Sequence, residues 1–169
     1  VTHPSAGNLG GGGFILVRMA DGRSTFIDFR EMAPRSASRN MYIGPDGKAT
    51  RDSMVGWRAA GVPGTVRGLE FAHKKLGRKS WAELVQPSID LAAKGVTLSY
   101  AEARSMCGTR KLMEQFPESK RIFLNGLNGG ACFEVGDRLV QSELAEVLRR
   151  IGREGAKDFY EGQTARILA

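Results

Sequence analysis

Residues Gly10 to Gly13 form an unbroken run of four glycines that leads directly into Phe14-Ile15-Leu16-Val17-Arg18-Met19. Glycine loses more backbone freedom on folding than any other residue. Such a run is therefore expected where something must lie closer to the main chain than a side chain permits, either another backbone or a ligand. It matches neither G-x-G-x-x-G nor G-x-x-x-x-G-K-[ST], and it precedes a strand, whereas both of those motifs open a helix. Dinucleotide and phosphate-loop readings are poor.

The apolar, β-branched and aromatic stretch after the glycines suits a buried strand. Asp21-Gly22 supplies a hairpin signal, because a tight turn needs a positive φ that glycine accepts cheaply. A second strand is expected over Ser24–Phe29, where Thr25, Ile27 and Phe29 alternate with Ser24, Phe26 and Asp28. Both faces then carry apolar surface, so the hairpin belongs inside a covered sheet. Two strands alone rarely hold in water, which predicts pairing with strands this chain does not contain.

The remainder reads as helix and loop. After Pro34 the sequence turns polar, with a turn at Gly44-Pro45-Asp46-Gly47 and no firm periodicity before Gly61. From Pro63 to Gly77, Val66, Leu69, Ala72, His73 and Leu76 fall on one helical stripe, with proline and glycine where helix starts and stops favour them. Ser80-Trp81-Ala82-Glu83 and Ser99-Tyr100-Ala101-Glu102 are capping boxes. Pro87 interrupts or restarts the first of those helices, which runs on to Gly95. Pro117 to Gly136 is expected to be mostly loop, with turn signals at Asn125-Gly126 and Asn128-Gly129. Leu144, Val147, Leu148 and Ile151 mark an amphipathic helix, and Tyr160–Ala169 reads as helical. The pattern is one hairpin followed by four or five helices, an α+β chain.

At 169 residues the length suggests one domain. No apolar run is long enough to span a membrane. Lys plus Arg number 25 against 18 Asp plus Glu, a formal net charge of +7. The positive residues cluster at Lys74, Lys75, Arg78 and Lys79, at Lys120 and Arg121, and at Arg149, Arg150 and Arg153. No aromatics interleave with them, as a nucleic-acid surface would require. Solvated helix faces explain them better.

Catalytic groups are scarce. His3 and His73 form no triad with a serine and no zinc motif, and His73 on the helical stripe reads as a packed residue. Cys107 and Cys132 have neither the spacing of a CxxC site nor a neighbouring histidine, and they read as buried or incidental thiols. No metal, cofactor or catalytic residue is expected in this chain. Arg30, at the end of an apolar strand, offers a planar fork of donors suited to a carboxylate. The competing reading is an ordinary ion pair with Asp28, Glu31 or another acid.

Four ordered landmarks carry a resemblance across essentially the whole chain. Asn8-Leu9-Gly10-Gly11-Gly12-Gly13-Phe14 with the hairpin and Asp28-Phe29-Arg30-Glu31-Met32-Ala33-Pro34 resembles the large-subunit signature of γ-glutamyltranspeptidases. Gly61-Val62-Pro63-Gly64-Thr65-Val66, Val85-Gln86-Pro87 and Phe159-Tyr160-Glu161-Gly162 are similar to that family's later landmarks. The resemblance implies an N-terminal nucleophile hydrolase with a four-layer αββα fold, of which residues 1–169 are an incomplete large-subunit segment of one domain. It implies a precursor that cleaves itself, and a partner small subunit whose new N-terminal threonine attacks the γ-glutamyl carbonyl of glutathione or a related amide. The acyl group then passes to water or to an amino acid or peptide.

Arg30 matches the family arginine that binds the α-carboxylate of the glutamyl group. The nucleophilic threonine and the oxyanion glycines are expected on the small subunit, and no role in catalysis falls to Thr65 or Thr97. Val1 opens without Met or a signal-peptide pattern and the far end reads as cut, so both ends are expected to be interruptions. A periplasmic or secreted location is a family expectation alone. Two alternatives stand beside this one: a cephalosporin (glutaryl) acylase-like relative, and a non-catalytic basic binding module.

Overall fold

A computed structural model describes residues 1–124 and 132–169, which form two compact units: Ser5–Gly77, and Val1–Pro4 together with Arg78–Ala169. The turn signals at Asn125-Gly126 and Asn128-Gly129 lie outside the described residues.

In Ser5–Gly77, β1 (Phe14–Arg18) pairs antiparallel with β2 (Ser24–Asp28), with Ile15 opposite Ile27 and Leu16 opposite Phe26. The turn closes with Met19 N–H donating to the Arg23 carbonyl at 2.8 Å, and Gly22 takes φ +89°. Strand alternation sends Ile27 and half-buried Ile15 and Val17 to one face. The opposite face carries Phe14, Leu16 and Phe26, and Leu16 is 77% exposed. Phe14 and Phe26 stack there with centroids 5.7 Å apart.

Beyond the hairpin, an isolated bridge joins Met32 to Val62, and another joins Ile43 to Ala49 across the expected turn, where Gly47 N–H donates to the Gly44 carbonyl at 2.9 Å. Single 3-10 turns occupy Arg51–Ser53 and Trp57–Ala59. Helix α1 (Thr65–Leu76) starts two residues after Pro63 and stops at Gly77, where a Cβ would collide with the His73 ring. The predicted stripe is narrower than its spacing suggests: Val66 is buried, Ala72, His73 and Leu76 are half-buried, and Leu69 is exposed.

The other unit is largely helical. Helix α2 (Trp81–Lys94) starts at the complete Ser80–Glu83 capping box and runs through Pro87 without a break. β3 (Val96–Thr97) leads to α3 (Tyr100–Gly108), which starts at the complete Ser99–Glu102 box. Next come α4 (Arg110–Met113) and α5 (Pro117–Phe123), then β4 (Arg138–Leu139), which pairs antiparallel with β3. The expected loop from Pro117 is thus a helix over its first seven residues. Pro117 stands in its first turn, where the missing N–H costs nothing, and Glu118 and the pair Lys120 and Arg121 sit at the ends that suit the helix dipole.

Amphipathic α6 (Ser142–Glu154) packs on α2, burying Ala145, Leu148 and Ile151, and Trp81 Nε1 donates to the Ile151 carbonyl at 2.8 Å. Each large apolar side chain so buried stabilises the fold by roughly 2 kcal/mol. The expected terminal helix is two short ones, α7 (Ala156–Glu161) and α8 (Gln163–Leu168), broken at Gly162. Leu98, Met106, Phe133 and Leu139 form a smaller core around β3 and β4. Cys107 and Cys132, beside Met106 and Phe133, are joined by a disulfide with Cα atoms 5.4 Å apart. They are neither buried thiols nor incidental ones.

Candidate functional site

The glycine run meets another backbone. A Cβ on Gly12 would stand 2.5 Å from the Phe29 carbonyl oxygen and 2.7 Å from the Glu31 nitrogen. One on Gly64 would overlap the Phe29 carbonyl group, and one on Gly68 would overlap the Phe29 side chain. Phe29 N–H donates to the Gly13 carbonyl at 2.9 Å, and the Gly64 and Thr65 N–H groups both donate to the Gly11 carbonyl, at 2.9 and 3.0 Å. Thr65 Oγ1 donates to the Asn8 carbonyl, which ties down the start of α1. Asn8–Gly13, Phe29–Glu31 and Gly61–Gly68 are far apart in sequence, yet Gly12 and Gly64 pack there as backbone on backbone, and Gly68 takes the Phe29 side chain. Ordinary side chains would hold them apart.

Arg30 emerges from this junction. Its backbone N–H donates to Asp28 Oδ1 at 2.9 Å, its Nε donates to Glu31 Oε2 at 3.1 Å, and its guanidinium lies 5.9 Å from the Phe14 ring centroid. The ion pair anticipated as the competing reading is present, and it engages the Nε edge alone. An open cleft of about 540 Å³ is lined by Arg30 and Glu31, by the backbone of Gly10–Gly12 and by Ala59–Gly61. A hydrogen bond from its own backbone N–H holds the Glu31 carboxyl below the usual range against partial burial, and the Arg30 charge and the Gly12 N–H add to this. Glu31 is therefore anionic at neutral pH and keeps the Arg30 fork oriented. Such a cleft, with one exposed guanidinium beside bare backbone, can take up a small carboxylate.

Other sequence candidates lie elsewhere. Val85-Gln86-Pro87 and Phe159-Tyr160-Glu161-Gly162 belong to the helical unit, where they fall within and between helices. Each basic cluster has a member held in ion pairs: Lys74 with Glu70, Arg121 with Glu118 and Glu143, Arg149 with Glu146. Arg150 donates to Thr164 Oγ1 at 3.0 Å and lies 3.5 Å from buried Asp158. Among the described residues, no group of three His, Cys, Asp or Glu side chains is arranged to hold a metal, and no helix is long and apolar enough to cross a membrane.

Against known families, the profile described as Gamma-glutamyltranspeptidase matches residues 1–169. The chain belongs to the γ-glutamyltranspeptidase family. Among curated relatives it is 44% identical over 167 residues to a glutathione hydrolase proenzyme of Pseudomonas sp. (strain A14), covering 98% of this chain and 28% of the relative. It is 40% identical to the glutathione hydrolase proenzyme of Escherichia coli (strain K12), covering 100% of this chain and 29% of that one. The chain thus spans less than a third of the length of these family members.

Among solved structures, Helicobacter pylori γ-glutamyltranspeptidase matches with TM-score 0.94 and 40% identity, over 99% of this chain and 48% of that one. The family resemblance and its mixed helix-and-sheet fold therefore stand. A cephalosporin acylase from Bacillus halodurans shares the fold at TM-score 0.80 with 18% identity. That match concerns the fold alone, and the glutaryl acylase alternative is not favoured by it.

Proposed function

We propose that the chain is the large-subunit part of a γ-glutamyltransferase or glutathione hydrolase, with Arg30 binding the α-carboxylate of the γ-glutamyl donor. The observation that carries this is the single exposed guanidinium lining a cleft whose other walls are glycine backbone, Glu31, Asn8 and small alanines. Glu31 occupies the Nε edge, and the Nη edge is left to form paired charge-assisted hydrogen bonds with the donor carboxylate. Such bonds fix the donor so that its γ-carbonyl is held for attack.

The nucleophile is then a threonine at the N-terminus of a small subunit. Its hydroxyl oxygen bonds to the γ-carbonyl carbon, its proton passes to the threonine's own α-amine, and the amine leaving group departs protonated. Water or an amino acid or peptide takes the glutamyl group from the resulting ester. Residues 1–169 act in this as an incomplete segment of one αββα domain, and the small subunit is their partner. A periplasmic or secreted site of action is supported by the Cys107–Cys132 disulfide, because such bonds persist in oxidising compartments.

The test is kinetic, in the complete enzyme. Arg30→Lys keeps the charge but loses the planar fork, and we expect kcat/KM for γ-glutamyl-p-nitroanilide to fall about thirtyfold, near 2 kcal/mol of lost stabilisation. Wild-type kinetics in that variant would overturn the role of Arg30. Turnover of a glutaryl amide in preference to the γ-glutamyl one would replace the proposed activity with an acylase.

A further inference from the structure

Arg58 anchors the strap that runs from Met41 to Gly61. Its Nη1 donates to Asp52 Oδ2 at 2.8 Å, its Nη2 donates to the Met41 carbonyl, and its guanidinium lies 5.9 Å from the Tyr42 ring centroid. Tyr42 closes the clasp from the other side, its hydroxyl donating to the Arg58 carbonyl at 2.9 Å. Tyr42 is itself fixed through its carbonyl, which accepts from Thr50 N–H at 2.8 Å. Two residues sixteen apart in sequence therefore hold each other by both side chain and main chain.

Directly after Arg58 the strap becomes the wall of the cleft. Ala59, Ala60 and Gly61 line it and bring no bulky side chain to it. Gly61 sits so close to Glu31 that a Cβ there would stand 2.9 Å from the Glu31 Cβ. One residue on, Val62 and Met32 exchange N–H···O bonds of 2.8 and 3.1 Å. Glu31 in turn holds Arg30. A continuous path of contacts thus runs from the clasp, through three small residues, to the carboxylate that orients the donor-binding guanidinium.

We propose that Arg58 is a positioning residue: clasped by Tyr42, Asp52 and the Met41 carbonyl, it sets the Ala59–Gly61 wall against Glu31 and so tunes affinity for the carboxylate-bearing donor. This rests on the assignment of Arg30 to the donor carboxylate. Arg58 touches no substrate. Its contacts are solvent-exposed, and exposed polar contacts contribute little to global unfolding while they can fix a loop locally. A purely structural role would move stability, whereas this one moves donor affinity.

Two variants of the complete enzyme, Arg58→Ala and Tyr42→Phe, test it, the second removing one hydroxyl and keeping the ring. We expect Arg58→Ala to raise KM for γ-glutamyl-p-nitroanilide about tenfold with kcat within about twofold, and Tyr42→Phe to raise it about threefold in the same sense. Amide hydrogen exchange at Ala59 and Ala60 should quicken in both, with little change in Tm. Unchanged exchange overturns the clasp, and faster exchange with unchanged KM overturns its link to the cleft. Exchange does not depend on turnover. A wild-type enzyme inactive on the γ-glutamyl amide thus counts against the proposed activity while the clasp is still decided, and KM is then read on the glutaryl amide.

Discussion

Of the fifteen buried apolar residues among those described, only Ile27 and Val66 lie in Ser5–Gly77, and the other thirteen lie in the helical unit. The helical unit holds itself by the usual means, with amphipathic α6 on α2, capped helix starts and a disulfide beside a small core. The other unit, which carries the cleft, relies on glycine backbone pressed against Phe29 and on hydrogen bonds between loops. Apolar side chains can fill a core, but they would also close the cleft beside Arg30. Close backbone packing fixes that arginine and leaves the space in front of it open.

The contrast can be broken most severely at the polar exception within the helical unit. Asp158 is fully buried and accepts from the Thr164 N–H and hydroxyl, with Arg150 3.5 Å away. Asp158→Ala leaves the Arg150 charge without its counter-ion and the start of α8 without its acceptor, and a loss of about 4 kcal/mol in denaturant unfolding is expected. Burial alone would raise the Asp158 carboxyl, but the Thr164 and Arg150 contacts outweigh it and hold it below its ordinary value. The folded-state value is thus depressed, so its stabilisation is present above about pH 4, the unfolded-chain value. It is lost as pH falls through the folded-state value. The wild-type protein should therefore lose stability on acidification more steeply than Asp158→Ala does, and parallel pH profiles would count against the network.

Next in size is the disulfide. Cys107 and Cys132 are separated by 25 residues, and loop closure of that length stabilises by about 3 kcal/mol. The double variant Cys107→Ser/Cys132→Ser should lose that amount. Hydrogen-exchange protection should fall around Leu98 and Leu139 and persist at Phe29, whereas equal loss at both would erase the distinction between the units. A smaller loss than either is expected at Gly64→Ala, where strain against the Phe29 carbonyl should cost about 2 kcal/mol. That change also displaces the backbone next to Arg30, so KM for the donor should rise. A stable variant with an unaltered KM would show that the glycine packing does not position the arginine.

The sequence was most legible where a pattern is local. The hairpin, both capping boxes and the α6 stripe need only neighbouring residues, and they are found where the spacing puts them. The β3–β4 pair was not legible, since two strands of two residues, at Val96–Thr97 and Arg138–Leu139, have no periodicity to read. Helix α5 is too short for an apolar stripe, although Pro117 and Glu118 signalled its start. The disulfide was missed because pairing of two cysteines 25 apart depends on the fold. At the site, Arg30 could be named from its place at a strand end, and Glu31 was foreseen as a partner. The Tyr42–Arg58 clasp could not, because it depends on how an aperiodic strap folds back on itself.

The glycine junction also sets how such a site can be altered by design. At Gly12 and Gly64 the smallest available substitution already adds a carbon that meets main-chain atoms, which cannot turn to a new rotamer as a side chain can. A library built on those positions would consist mainly of strained, destabilised members. Diversity introduced instead at Arg58 and Tyr42 would, through the proposed clasp, act on the Ala59–Gly61 wall of the cleft without adding atoms to the glycine junction beneath Arg30. New donor preferences are to be sought in the strap, with the scaffold held constant.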